Sequence, residues 1–330
     1  MYRSKIIGMG FKVPDNIISN DDLSKIMDTS DEWIQTRSGI KERRWATEEV
    51  ATSDLALSAA NKAIKNAEIK NKEIDLVIVG TLSSDYFFPG VSAQLQEKLN
   101  LNLVGAFDIK AACSAFIYSL SIADQYIKTG AAKTILVIGA ETQTKLIEKS
   151  SEGRDVAVLF GDGAGAAIVQ RSDDESQILS THLHSQGKDL KNLWMEAPGT
   201  SMGSWFKENK FDQKKFTPKM NGREVFKNAV KRFPEVIHEA LDHNNLDFND
   251  IKLIIPHQAN YRISEAVAKK LEVGMDKVYS NIHKYGNTTA ASIPIALTEA
   301  IYSKKINKGD LIILAAFGAG YTWASAAIKW

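Results

Sequence analysis

The single cysteine of the chain, Cys113, lies in Asp108-Ile-Lys-Ala-Ala-Cys-Ser-Ala-Phe-Ile, where an apolar run gives way to small residues and then to a helical stretch. Small residues permit a crowded turn. A helix start offers unpaired N–H groups and the positive end of a dipole to an anion. A thiolate placed there is expected to have a lowered pKa and to act as a nucleophile. The plainer alternative for a lone cysteine is a buried, inert thiol. His257 follows an apolar run in Ile254-Ile-Pro-His-Gln-Ala-Asn. It stands just past the end of an expected strand, which is where α/β proteins build their sites. A histidine hydrogen-bonded in the core is the plainer reading. Asn287, in Tyr285-Gly-Asn-Thr-Thr-Ala-Ala-Ser, precedes a helical stretch. Taken alone, it reads as a helix cap.

The other histidines lack such placement. His182 and His184 have strand spacing with no cysteine nearby, and zinc sites need three or four ligands. His238 and His243 fall on or beside a charged helix, and His283 in a lysine-containing loop. Glycines cluster at Gly161-Asp-Gly-Ala-Gly-Ala-Ala and at Phe317-Gly-Ala-Gly-Tyr-Thr-Trp. The first lacks the Lys-Ser/Thr ending of a phosphate loop and runs into an apolar stretch that reads as a strand. Both read as turns passing close to something, with backbone N–H groups able to hold an oxyanion.

The elements that must position these groups follow from apolar runs. Leu76–Val79, Val104–Ile109, Ile135–Ile138, Ala164–Val169, Leu253–Ile255 and Leu311–Leu314 read as strands covered on both faces. Helices are expected over Ser53–Ala67, Cys113–Lys128, Gly222–Asp242, Ser264–Leu271 and Ala290–Tyr302. The alternation predicts an α/β protein. Asp75-Leu-Val-Ile-Val-Gly echoes Ile251-Lys-Leu-Ile-Ile-Pro at a shift of about 176 residues. Ala132-Lys-Thr-Ile-Leu-Val-Ile-Gly echoes Lys308-Gly-Asp-Leu-Ile-Ile-Leu-Ala at nearly the same shift. Cys113 then falls opposite the Asn287 region. This reads as two duplicated halves, residues 1–170 and 217–330, whose helix starts meet. Residues 171–216 are an excursion, rich in Trp194, Met195, Trp205, Phe206, Phe211 and Phe216. So many large apolar groups suit a covered pocket or another subunit better than a linker.

Whole-chain properties exclude several classes. Lys plus Arg number 41 against 40 Asp plus Glu, so no global charge points to nucleic acid or an anionic membrane. No run reaches the length of a membrane span, and the first ten residues lack the apolar core of a signal peptide. Cytoplasm is the expected location.

Taken together, Ala111-Ala112-Cys113, Pro256-His257-Gln258-Ala259-Asn260 and Tyr285-Gly286-Asn287-Thr288 through Ser292-Ile293-Pro294 resemble the β-ketoacyl-acyl-carrier-protein synthase III family, which has the thiolase fold. Asp31-Glu32-Trp33-Ile34 with Arg37, Phe160 to Gly165, Met220 to Lys227 and Phe317 to Trp323 are similar to further blocks of that family. The resemblance runs from about residue 5 to the C-terminus. It implies a five-layered αβαβα homodimer with a Cys113–His257–Asn287 triad. It implies an oxyanion hole from the backbone N–H groups of Cys113 and Ala319, the latter standing where many members have Gly. Trp33, Arg37 and Arg154 match positions that hold coenzyme A. Phe88 matches a residue that shapes the partner's acyl pocket. The implied reaction transfers an acyl group from acyl-coenzyme A to Cys113 and condenses it with malonyl-acyl carrier protein, with no metal and no separate cofactor.

Arg223, Lys227 and Lys231 share one face of an expected helix. Arg262, Lys269 and Lys270 lie on another. The resemblance implies docking of an acidic carrier protein at Lys227 and Arg262, with Lys269 and Lys270 extending the basic rim. Two rivals share the chemistry. One is a cysteine hydrolase, since papain-like proteases have the same Cys, His, Asn order. The other is a same-fold acyltransferase that passes the acyl group to an alcohol or amine.

Overall fold

The computed structural model describes residues 1–204 and 212–330. Two mixed sheets form its frame. The first holds β1 (Arg3–Lys12), β2 (Leu76–Gly80), β3 (Gly105–Ile109), β4 (Thr134–Glu141) and β5 (Gly163–Ser172). Its spatial order is β3-β2-β4-β5-β1, with β2 parallel to β3 and β4, and β5 antiparallel to β4 and β1. The second holds β6 (Gln177–Ser185), β7 (Ile251–Pro256), β8 (Leu311–Gly318) and β9 (Thr322–Lys329), in the order β7-β8-β9-β6. Here β7 and β8 are parallel, and β9 is antiparallel to both β8 and β6. A parallel bridge from Ile254 to Val278 stands where a fifth strand would be. The two sheets thus repeat one topology, as the sequence echo predicts.

The major helices are α1 (Asp31–Ser38), α2 (Thr52–Asn66), α3 (Val91–Lys98), α4 (Ala115–Thr129), α5 (Gly222–Asn244), α6 (Tyr261–Lys270) and α7 (Ser292–Tyr302). Strand alternation sorts the apolar runs between layers. Val77 and Val79 face α2 and α3, whereas Leu76 and Ile78 face inward to α4 and α7. Ile313 and Ala315 face α5 and α6, whereas Ile312 and Leu314 face the same inner helices. The layers are therefore α2/α3, sheet, α4/α7, sheet, α5/α6. Helix α4 is apolar nearly all round because it lies between two sheets: Phe116, Ile117 and Leu120 are fully buried.

Several boundaries differ from expectation. Cys113 does not open α4. It sits in a 3₁₀ turn, Ala112–Ser114, and the α-helix begins at Ala115. Likewise a 3₁₀ turn, Thr289–Ala291, precedes α7 at Ser292. Both turns are entered through a residue in the left-handed region, Ala112 at φ 47° and Thr289 at φ 50°. The chain reverses too sharply there for α-helical φ from the first residue. The stretch 171–216 is not all excursion, since Gln177–Ser185 is the edge strand of the second sheet. Beyond it, Leu193–Trp194 pairs with Lys219–Met220, and Lys191 and Lys219 approach the Trp194 ring. Trp205, Phe206 and Phe211 lie outside the described residues.

Candidate active site

The C-terminal ends of β2, β3, β4, β7 and β8 deliver their following residues toward one region between the two lobes. Cys113 is 7% exposed there. Its turn is stapled by Thr322, whose hydroxyl donates to Ala111 O at 3.0 Å and whose carbonyl accepts from Ser114 Oγ at 3.2 Å. The last residue of β8, Gly318, packs directly on it. A Cβ at 318 would fall 2.8 Å from Cys113 N and 2.9 Å from Cys113 Cβ, so only glycine lets the β8–β9 turn come this close. Ala319 follows in that turn, and its carbonyl accepts from Thr322 Oγ1 at 3.2 Å.

His257 is 2% exposed. Its N–H donates to Ala315 O at 2.7 Å, which fixes it to β8. Its Nδ1 lies 2.6 Å from Ser292 Oγ, at the start of α7. Ser292 Oγ also accepts from Gln258 N at 3.4 Å, so its proton is available to Nδ1, and Nε2 then carries the hydrogen. Burial pushes the imidazole down to about 3, which keeps it neutral. Gln258 is structural: it donates to Pro256 O and Tyr279 O and accepts from Asn281 N.

Asn287 is held on both backbone sides. Its N–H donates to Leu159 O at 2.8 Å and its carbonyl accepts from Gly161 N at 3.0 Å. Gly286, at φ 64°, makes the approach possible; a Cβ there would sit 2.7 Å from Leu159 O. The Asn287 Oδ1 accepts from Thr289 N at 2.9 Å, so the carboxamide turns its NH₂ outward as a donor. The 3₁₀ turns at 112–114 and 289–291 pack on one another, which brings the Cys113 and Asn287 segments together.

The thiol does not have the lowered pKa expected of a helix start. Burial first, and the Glu141 carboxylate second, push Cys113 up to about 12. The turn orients its backbone weakly, and desolvation of a thiolate outweighs it. Glu141 escaped the sequence reading. It is fully buried at the end of β4 and accepts from Leu82 N, Ser83 N, Ser83 Oγ and Thr81 Oγ1. Ser292 was also missed as a partner of His257. A serine at a helix start reads as a cap, and only the fold shows which imidazole it meets.

A cleft of about 420 Å³ opens beside this region. The Trp33 ring lies within cation–π distance of two guanidiniums, Arg37 at 4.2 Å and Arg154 at 4.7 Å. Trp33, Arg37, Arg223 and Arg262 line the cleft, as does Leu159, whose carbonyl holds Asn287. Arg262 reaches it at the start of α6, over Phe226 at 5.8 Å. Lys227 is exposed one helical turn beyond Arg223. Lys269 and Lys270 sit at the other end of α6, roughly 10 Å along its axis and outside the cleft lining. Phe88 is 79% exposed on the loop after β2, away from the cleft lining of its own chain. His182 and His184 share the Glu239 carboxylate at 3.4 and 2.6 Å. Among the described residues no group of His, Cys, Asp and Glu has the geometry of a metal site.

Known proteins resemble the whole chain. Residues 107–187 match the sequence profile of 3-oxoacyl-acyl-carrier-protein synthase III, and residues 241–330 match the profile of its C-terminal part. The beta-ketoacyl-acyl-carrier-protein synthase III of Xanthomonas campestris is 46% identical over 327 residues, covering 99% of this chain and 98% of that protein. The enzyme of the same name from Caldanaerobacter subterraneus is 47% identical over 325 residues, covering 98% and 97%. The crystal structure of 3-oxoacyl-acyl-carrier-protein synthase III from Aquifex aeolicus superposes with a TM-score of 0.91 at 45% identity, covering 99% of this chain and 100% of that one. The Thermus thermophilus structure superposes with a TM-score of 0.92 at 39% identity, covering 99% of both chains. The duplicated sheets, the glycine-packed cysteine turn and these full-length likenesses lead to one conclusion: the chain belongs to the 3-oxoacyl-acyl-carrier-protein synthase III family.

Proposed function

We propose that the chain is a condensing acyltransferase that moves an acyl group from acyl-coenzyme A to Cys113 and joins it to the malonyl unit of malonyl-acyl carrier protein, opening fatty acid or related synthesis. The observation that carries the mechanism is the orientation of two neutral donors. Asn287 has its oxygen occupied by Thr289 N, and His257 has Nδ1 occupied by Ser292, so each has an N–H left to give.

In the first half-reaction the Cys113 sulfur attacks the acyl thioester carbon and coenzyme A leaves as its thiol. The thiol proton goes to the departing coenzyme A sulfur, since His257 has Nδ1 engaged by Ser292 and a hydrogen on Nε2. The developing oxyanion is held by the Cys113 and Ala319 N–H groups. In the second, malonyl thioester loses carbon dioxide, and the enolate oxygen is held by His257 Nε2–H and Asn287 Nδ2–H. A carboxylate in place of Asn287 would repel that charge. The enolate carbon then attacks the acyl-sulfur carbonyl carbon, and the Cys113 sulfur leaves.

Trp33, Arg37 and Arg154 would hold the adenine and phosphates of coenzyme A, a planar ring beside cations being suited to both. Lys227 and Arg262 would receive the acidic carrier, with Lys269 and Lys270 as an outer part of the same basic rim. A homodimer is supported by Tyr86, Phe87 and Phe88, which are 60%, 65% and 79% exposed in consecutive positions. Phe88 would then reach the partner's acyl pocket. The chain works without a separate cofactor in this reading, since acyl-coenzyme A is a substrate. The cytoplasm is the proposed location; among the described residues no helix is long and apolar enough to cross a membrane.

The test is a reconstitution with acetyl-coenzyme A and malonyl-acyl carrier protein. The reading predicts one carbon dioxide and one 3-oxoacyl-carrier per coenzyme A released. Release of free acid without malonyl consumption would support the hydrolase instead. Acylation of an added alcohol or amine without carbon dioxide would support the non-decarboxylating acyltransferase.

A further inference from the structure

We propose that Trp45 and Arg43 are positioning residues for Asn287, acting through a strap of chain, residues 158–162, whose polar groups are shared between them and Asn287; this deepens, and rests on, the reading of Asn287 as a donor to the enolate.

The strap has two sets of partners. Phe160 forms a parallel bridge with Asn287, whose N–H donates to Leu159 O at 2.8 Å and whose carbonyl accepts from Gly161 N at 3.0 Å. Alternate groups of the same segment go to residues 43–46. Val158 O accepts from Arg43 Nη2 at 2.8 Å, and Phe160 O accepts from Trp45 Nε1 at 3.1 Å. Asp162 N donates to Arg44 O at 2.8 Å, and the Asp162 carboxylate accepts from Ala46 N at 2.8 Å. Four bonds on one side thus hold the segment from which Asn287 hangs by two.

Arg43 is fully buried. A buried cation is ordinarily held by a carboxylate. This guanidinium is directed at backbone instead, to Ile18 O at 3.2 Å as well as to Val158 O, and its Nε is without a partner among the described residues. It thereby fixes two chain segments against each other. Its Cβ also lies over the Asn287 loop, because a Cβ built at Gly161 or at Gly286 would fall 3.3 Å from it. Trp45 is anchored in turn by Asn16, whose carbonyl accepts from Trp45 N at 3.2 Å and whose Nδ2 donates to Trp45 O at 3.4 Å. Neither Arg43 nor Trp45 lines the cleft, whereas Val158 and Leu159 of the strap do. The two side chains therefore act on Asn287 without touching what occupies the cleft. Removing either donor leaves a buried carbonyl unsatisfied, and the strap shifts to relieve it.

Trp45→Phe tests this, since it keeps an aromatic ring and removes the Nε1–H. Condensation of acetyl-coenzyme A with malonyl-acyl carrier protein should fall about 3- to 10-fold, the effect of one lost neutral hydrogen bond. Single-turnover acylation of Cys113, compared at saturating acetyl-coenzyme A because the strap lines the cleft, should keep the wild-type rate. Arg43→Lys keeps the charge, loses the planar fork and should give the same split. On an Asn287→Ala background neither substitution should lower condensation further, because its effect passes through the missing carboxamide. Equal factors in the wild-type and Asn287→Ala backgrounds overturn the proposal. So does a folded variant that condenses at the wild-type rate, or one that loses both half-reactions alike while Asn287→Ala spares acylation. Arg43→Lys carries the same comparison if Trp45→Phe does not fold. The two claims fail separately: equal loss of both half-reactions in Asn287→Ala counts against the enolate reading, whereas additivity in the double variants counts against the strap.

Discussion

His257 and Asn287 reach the pocket as donors because their acceptor atoms are already engaged, by Ser292 and by the Thr289 N–H. That arrangement suits an oxygen that gains negative charge, and it separates the two half-reactions. Asn287→Ala should retain transfer of the acyl group to Cys113 while condensation falls about 100- to 1000-fold, the usual effect of losing one such donor. Single-turnover acylation measured beside steady-state condensation checks this, and equal loss of both would contradict the enolate role. The three residue types and their local settings were legible in the sequence: a lone cysteine after small residues, a histidine after a buried run, and an asparagine before a helical stretch. The thiol pKa was not. It depends on desolvation and on Glu141, which reads in one dimension as the polar end of a strand. Nothing in its spacing announces that four donors from residues 81–83 converge on it.

At the scale of elements, the paired 3₁₀ turns and the β8–β9 turn set the reacting geometry. Gly318→Ala should push the turn off Cys113, because the new methyl would meet backbone at 2.8 Å with no flexible neighbour to yield. A displacement on the ångström scale can cost about 100-fold in rate, so acylation should fall by that order while the far-ultraviolet spectrum stays native. Rates near wild type would mean that the hole tolerates a looser approach. The central strands were legible because each is a short apolar run covered on both faces. Strands β1, β6 and β9 were not, for three different reasons. β1 mixes Arg3, Ser4 and Lys5 with glycines at the edge of its sheet, β6 alternates half-exposed polar residues as an edge strand, and β9 is rich in alanine, which carries no strand preference.

For the molecule as a whole, burying the site leaves a signature in stability. The Cys113 thiol keeps its proton in the fold up to about 12, whereas its ordinary value is 9.0. Between those values the unfolded chain loses a proton that the fold retains, so stability is full below the lower value and is lost as pH rises toward the upper one. From pH 8 to pH 10 the wild type should lose ~1.4 kcal/mol more than Cys113→Ser, measured by denaturant unfolding. Equal losses would place the thiol in contact with water. The repeated topology of the two sheets, foreshadowed by the echo between residues 75–80 and 251–256, accounts for the place of the proposed catalytic centre: equivalent helix starts, 115 and 292, meet in the middle layer. The chemistry assigned to that centre is tested most directly by intact mass after incubation with acetyl-coenzyme A. The account predicts a single acetyl addition on the wild type, absent from Cys113→Ala and discharged when malonyl-acyl carrier protein is added. An undiminished acetyl adduct on Cys113→Ala would contradict it.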